Sequence, residues 1–195
     1  MPVATTDKKE KIPVQEDERL LIRRAQKDPE EFRHLFDLYH DAIFNYVLRR
    51  TFDVVRAQDI TSNTFLKALD NLNKFHWKGV GFSAWLYRIA TNEINLSYRN
   101  QNKTVPLSED ITKRTKDELT ADHALIQAEE NMLRNEKFRE MHAALAQLDE
   151  KYQTVLSLKY FEEKSTKEIA EILGISENTV KTHTRRGLLK LRDIL

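Results

Sequence analysis

Lys181, Thr182, Arg185 and Arg186 recur at spacings of one and four residues, so a helix through them would carry three cations and a hydroxyl on one side. Such a face suits the phosphates and base edges of DNA, because guanidinium and ammonium groups pair with phosphate and bond to guanine in the major groove. The residues just before them supply a way to present that face. Over Thr166 to Arg186, Ile169, Ala170, Ile172 and Leu173 form an apolar stripe on a short first helix, and Gly174 allows the chain to turn. Ser176 can cap a second helix with Glu177 in its first turn and Val180 facing inward. This is the pattern of a helix-turn-helix, whose second helix enters the major groove. Residues 175–195 hold five Lys or Arg against two acids, whereas the whole chain carries a net charge of only +1.

A second cluster lies in the N-terminal half. Arg88, Thr91, Asn92 and Asn95 recur at helical spacing, and amides and guanidinium groups among aromatics can read or stack on bases. The preceding stretch, KFHWKGVGF from Lys74 to Phe82, sets Gly79 and Gly81 beside Phe75, Trp77 and Phe82. It can be a loop that approaches a backbone and stacks an unpaired base, or a loop whose aromatics anchor it in the core. Gln58, Asp59, Ser62, Asn63 and Lys67 form a third polar face on a helix of their own.

The elements that must position these groups read as helices throughout. Among 195 residues there are four Gly and four Pro, so breakers are few and the fold class is all-α. Residues 1–16 form a flexible polar tail. A first helix begins at Glu16 with Leu20, Leu21 and Ala25 inward, and Asp28-Pro29 stops it and starts the next. Phe32, Leu35, Phe36, Tyr39, Ile43, Tyr46 and Val47 give that second helix a broad core face. Asp53 opens a third helix, which buries Ile60, Thr64, Phe65, Ala68 and Leu69. Ser83 caps a fourth, which buries Trp85, Leu86, Ile89, Ala90, Ile94 and Leu96 and leaves Tyr87 on another face.

Residues 101–122, with Pro106 and little periodicity, form a linker, and residues 101–132 carry seven acids against four bases. A C-terminal unit follows over 123–195. Its helices end at Leu148, restart on an Asp149 cap, and pack Tyr152, Val155, Leu156, Tyr160 and Phe161 against the helix-turn-helix. The expected architecture is two small helical domains, 17–100 and 123–195, joined by the linker.

Several functions are excluded or disfavoured. The chain has no Cys, hence no disulfide or thiolate chemistry, which suits a cytoplasmic location. No apolar run approaches the roughly 20 residues of a membrane span, so no membrane insertion is expected. His34, His40, His76, His123, His142 and His183 form no paired metal spacing, and nucleotide-binding and nucleophile-elbow motifs are absent. No enzyme activity, metal or cofactor is expected. A receiver-type response regulator would need a βα block that the helical N-terminal half lacks.

With these pieces in place the chain resembles the extracytoplasmic-function sigma factors of the sigma-70 family. FRHLFDLYHDAIFNYVLRR, AQDITSNTFLKAL and FSAWLYRIATNEIN look like region 2, and ALAQLDEKYQTVLSLKYFEEKSTKEIAEILGISENTVKTHTRRGLLKLR looks like region 4. The resemblance implies core RNA polymerase, promoter DNA and an anti-sigma factor as partners. By the same resemblance, Gln58, Asp59, Asn63 and Lys67 would meet the polymerase clamp. Trp77, Arg88, Thr91, Asn92 and Asn95 would read the −10 element and hold a flipped base, and Lys181, Thr182, Arg185 and Arg186 would contact the −35 element. Two positions depart from the pattern: Asn63 stands where an acid is usual, and Gly187 replaces a small helix former, at a cost of roughly 1 kcal/mol in helix propensity.

Overall fold

The computed structural model describes residues 16–77, 81–101 and 136–195. These contain eight α-helices and no strand: α1 (Glu16–Lys27), α2 (Phe32–Thr51), α3 (Val54–Asn71), α4 (Phe82–Gln101), α5 (Glu136–Ala146), α6 (Glu150–Tyr160), α7 (Thr166–Leu173) and α8 (Glu177–Ile194). The expected tail, linker and start of the C-terminal unit lie outside the described residues.

Helices α1 to α4 pack around Leu35, Ile43, Tyr46, Val47, Ala57, Ala68, Leu86, Ala90 and Ile94, all fully buried. Each boundary has a local cause. The Asp28 side chain accepts from Glu30 N–H ahead of a 3₁₀ turn begun by Pro29. Phe52 ends α2 in the left-handed region at φ 54°, and the Asp53 carboxylate then accepts from Arg56 N–H to start α3.

Several expectations in this half change, among them Phe36, which helical period places on the core face of α2 and which is exposed. Leu20 is exposed, because the inward stripe of α1 runs through Glu18, Ile22 and Ala25, where Glu18 accepts a hydrogen bond from the Tyr39 hydroxyl. Ser83 is not the cap of α4. The Gly81 carbonyl already accepts from Trp85 N–H, so the helix begins at Phe82, whose ring is drawn into the core. Leu96 is exposed, and Tyr87 is buried edge-on against Tyr46, with ring centroids 5.2 Å apart.

In the C-terminal unit the helix-turn-helix forms as the sequence predicts. Ser165 and Glu168 make a reciprocal capping box at the start of α7, and Gly174 ends that helix at φ 67°. The Ser176 hydroxyl accepts from Thr179 N–H at the head of α8, and Val180 is fully buried, a burial that stabilises by about 1.5–3 kcal/mol. Asp149 precedes α6 as expected, but its side chain makes no cap bond; it lies 3.7 Å from the Lys190 ammonium instead. Tyr160 is exposed, while Leu156 is the residue that packs closely against Gly187 of α8.

The two units are docked. One contiguous apolar cluster runs from α1 through α4 into Val155, Leu158, Ile169, Ala170, Ile172 and Val180 of the C-terminal unit.

Candidate nucleic-acid interface

The basic face of α8 is built from a closely packed base. Val180 anchors the helix to α7, and Gly187 lets it approach α6 closely: a Cβ there would sit 3.1 Å from Leu156 Cδ1 and 3.2 Å from Tyr152 Cβ. The glycine that sequence propensity counts as a loss therefore permits the packing of the helix that carries the basic face. Lys181, Thr182, Arg185 and Arg186 are all exposed on that helix, and none of the three cations is ion-paired among the described residues. Thr182 bonds back to the Asn178 carbonyl at 2.9 Å. His183, beside them, stands edge-on to Tyr152 at 5.6 Å, and its pKa is lowered by burial and by the nearby Lys151 and Arg186.

The α4 cluster divides. Asn92 is exposed and borders two hollows. One, of about 450 Å³, lies within the N-terminal unit and is walled by Asn71, Lys74, Phe75, Trp85 and Glu93. The other, of about 400 Å³, lies between the units; it also takes in Arg88, Thr91 and Asn95, and faces Lys151, Gly174 and His183. Asn95 Oδ1 is buried there without a hydrogen-bond partner.

Thr91 is the exception. Its Oγ1 lies 2.9 Å from the Tyr46 hydroxyl and donates to the Tyr87 carbonyl at 2.8 Å, and the residue is buried. The spacing that puts Thr91 beside Asn92 and Asn95 also turns its hydroxyl toward α2, so it is part of the scaffold rather than of an open surface.

The described aromatics on either side of the loop are anchored, while Gly79 lies outside the described residues. Phe75 and Phe82 are buried and Trp77 is half-buried, with the Arg19 guanidinium 4.7 Å over its ring. Trp77 still borders a cleft shared with Glu18, Tyr39 and Lys167. Trp85, which helical period assigns to the core, is half-buried and forms a wall of the hollow beside Asn92.

On α3, Gln58, Asp59 and Asn63 are exposed as expected, while the Lys67 ammonium is held by Glu93 of α4 at 2.5 Å. The face is thus fixed by its neighbour helix and remains accessible. Among the described residues no group of His, Asp and Glu is arranged to hold a metal, and no helix is long and apolar enough to cross a membrane.

Comparison with known proteins bears on both units. Residues 35–104 match the family described as sigma-70 region 2, and residues 138–191 match sigma-70, region 4. The chain is 33% identical over 179 residues to the ECF RNA polymerase sigma factor SigW of Bacillus subtilis, covering 89% of this chain and 94% of the relative. It is 32% identical to the RNA polymerase sigma-H factor of Pseudomonas aeruginosa, covering 89% and 91%. Among solved structures it shares its fold with CnrH in complex with the cytosolic domain of CnrY, at a TM-score of 0.65 and 22% identity over 91% of this chain and 96% of that one.

Proposed function

The chain belongs to the sigma-70 family as an extracytoplasmic-function member, a factor for promoter-specific initiation of transcription, and from that premise we propose how its residues divide the work. Lys181, Thr182, Arg185 and Arg186 contact the −35 element. Arg88, Asn92, Asn95 and Trp77 receive the −10 strand, with the hollow walled by Phe75 and Trp85 as the seat of an unstacked base. Thr91 supports that face from beneath through Tyr46. Gln58, Asp59, Asn63 and Lys67 meet core polymerase. The carrying observation is the exposed, unpaired cationic face of α8 on a closely packed helix-turn-helix.

The physical logic is shared labour. Each unit offers few phosphate contacts, so it binds duplex weakly alone; polymerase sets the separation of the two units and raises the effective concentration of the second contact. Unstacking a base costs a few kcal/mol, which a formed pocket offsets. Domains at 17–100 and 123–195 with a linker at 101–122, action in the cytoplasm, absence of catalysis and restraint by an anti-sigma factor complete the reading. The sigma factor RpoE of Bartonella quintana, which shares the fold, is solved in complex with the anti-sigma factor NepR, which supports the last of these as a proposal.

The test is run-off transcription with purified core polymerase on a pool of randomised promoters. Start sites that appear only with this protein and share two spaced motifs are the expected result. No protein-dependent start, alongside tight salt-sensitive binding to duplex by the protein alone, would favour a stand-alone regulator.

A further inference from the structure

The hollow of about 400 Å³ between the two units gathers cations that no carboxylate pairs with. Arg88 of α4, Lys151 of α6 and His183 of α8 line it. Arg88 donates through Nε to the Ile172 carbonyl at 2.8 Å and through a terminal nitrogen to the Glu171 carbonyl. These acceptors fix the guanidinium in place, and the end of a helix offers only a partial negative charge, so the group stays cationic. Its other terminal nitrogen has no hydrogen-bond partner among the described residues. Lys151 forms no ion pair among them either; its ammonium stands 5.0 Å from the Tyr152 ring centroid.

A third cation lies behind the wall. Arg50 is 4% exposed and donates to the Thr154 hydroxyl at 2.8 Å, and Thr154 lines the hollow. Nε and one terminal nitrogen of Arg50 make no hydrogen bond, and no carboxylate pairs with it among the described residues. A buried charge of this kind is felt further than one in water. The one acid on the lining, Glu150, is exposed, where solvent and salt screen it. A cleft with such walls concentrates anions. His183 reports the same field: burial lowers its pKa, and the charges of Lys151 and Arg186 lower it further.

The remaining lining suits more than a bare ion. Ile172, Leu173 and Ile175 give an apolar side, and the exposed Asn92 amide carries both a donor and an acceptor, which can bond to a base edge. Apolar walls with a few polar groups are the pattern of small-molecule sites, which span about 300–1,000 Å³. This hollow lies at the low end of that range, the size for one nucleotide and not for a strand.

We propose that the hollow is a binding site for a free nucleotide, its phosphate held by Arg88 and Lys151 and its base set against Ile172, Leu173 and Ile175 beside the Asn92 amide. Arg88 and Asn92 also belong to the set assigned to the −10 strand. Lys151 and His183 do not, so the test is read on these two.

The experiment is equilibrium titration of the full chain with AMP, GMP, CMP and UMP, beside inorganic phosphate and the four nucleosides. At least one nucleotide is expected to saturate a single site, to weaken with salt, and to bind about tenfold or more tighter than phosphate or its own nucleoside. Lys151→Ala, at an exposed position, is expected to weaken it about tenfold, and Lys27→Ala, an exposed cation of α1 away from the hollow, to leave it unchanged. In the unaltered chain the His183 ring, followed by NMR and assigned with His183→Gln, is expected to titrate at higher pH once the nucleotide is bound, because a phosphate beside it favours the charged ring. No nucleotide binding, phosphate bound as tightly as every nucleotide, or equal losses in Lys151→Ala and Lys27→Ala overturns the proposal. A bound nucleotide that leaves the His183 titration unmoved sits elsewhere and overturns it as well.

Discussion

Gly187 and Tyr152 face each other so closely across α8 and α6 that a Cβ on the glycine would lie 3.2 Å from the tyrosine Cβ. The contact fixes the height of the recognition helix above its support. Two effects of Gly187→Ala oppose: helix propensity gains up to about 1 kcal/mol, while crowding against Tyr152 and Leu156 costs about 1–3 kcal/mol. Because one of the crowded atoms is attached directly to the α6 backbone, crowding wins, and a net loss of about 1 kcal/mol is expected in urea denaturation. A stabilised variant would show that α6 and α8 can separate freely.

Thr91→Val keeps the shape of the side chain and removes the hydroxyl that meets Tyr46. A buried phenol losing its partner costs about 1–3 kcal/mol. The variant is expected to lose stability by that amount and to keep the promoter sequence preference of the parent in run-off assays. A changed preference at normal stability would return Thr91 to the reading surface.

Arg185→Ala and Asn92→Ala are expected to act at different promoter positions. A lost base contact of this kind costs about 1–3 kcal/mol. Transcription from selected promoters should fall roughly tenfold or more, with Arg185→Ala relaxing the upstream motif and Asn92→Ala the downstream one. Loss of both motifs in either variant would contradict the division of labour.

His142 is expected to give the packing of the two units a pH dependence. It stacks on Phe52 at 4.6 Å and lies 3.4 Å from the Arg50 carbonyl, and burial, with the Arg50 charge, lowers its pKa from the ordinary 6.5. A lowered histidine pKa means that the folded state favours the neutral ring. Its contribution is intact above about 6.5 and is lost as pH falls through the folded value. Thermal melts are therefore expected to fall between pH 6.5 and 5 more steeply in the parent than in His142→Phe. Equal slopes would remove the histidine from the account.

Ser165→Ala removes one side of the capping box and should cost about 1 kcal/mol. The Ser165 hydrogen bonds hold the Glu168 carboxyl below its ordinary value, despite partial burial. That contribution is present above the ordinary carboxylate range and is lost as pH falls through the depressed folded value. The difference in melting temperature between parent and variant should narrow in acid, which a pair of melts at pH 7 and pH 3 would check.

The sequence by itself determined what is local. Gly174 in the left-handed region, Ser176 as a cap, Val180 four residues on and the exposed cations after it all follow from capping, backbone freedom and helical period, which act over a few residues. Its helical character and the order of its elements followed for the same reason. Tertiary structure decided the rest, because period alone leaves the direction of a stripe uncertain by a residue or two. It turned Leu20, Leu96 and Tyr160 outward and Tyr87 and Thr91 inward, and it made Gly187 a point of contact rather than a weakness. The pairing of Arg88 with the end of α7, and of Glu162 with Arg49 and Tyr87, joins residues 75 to 113 positions apart; no local rule connects them, and only the docking of the two units brings their charges together.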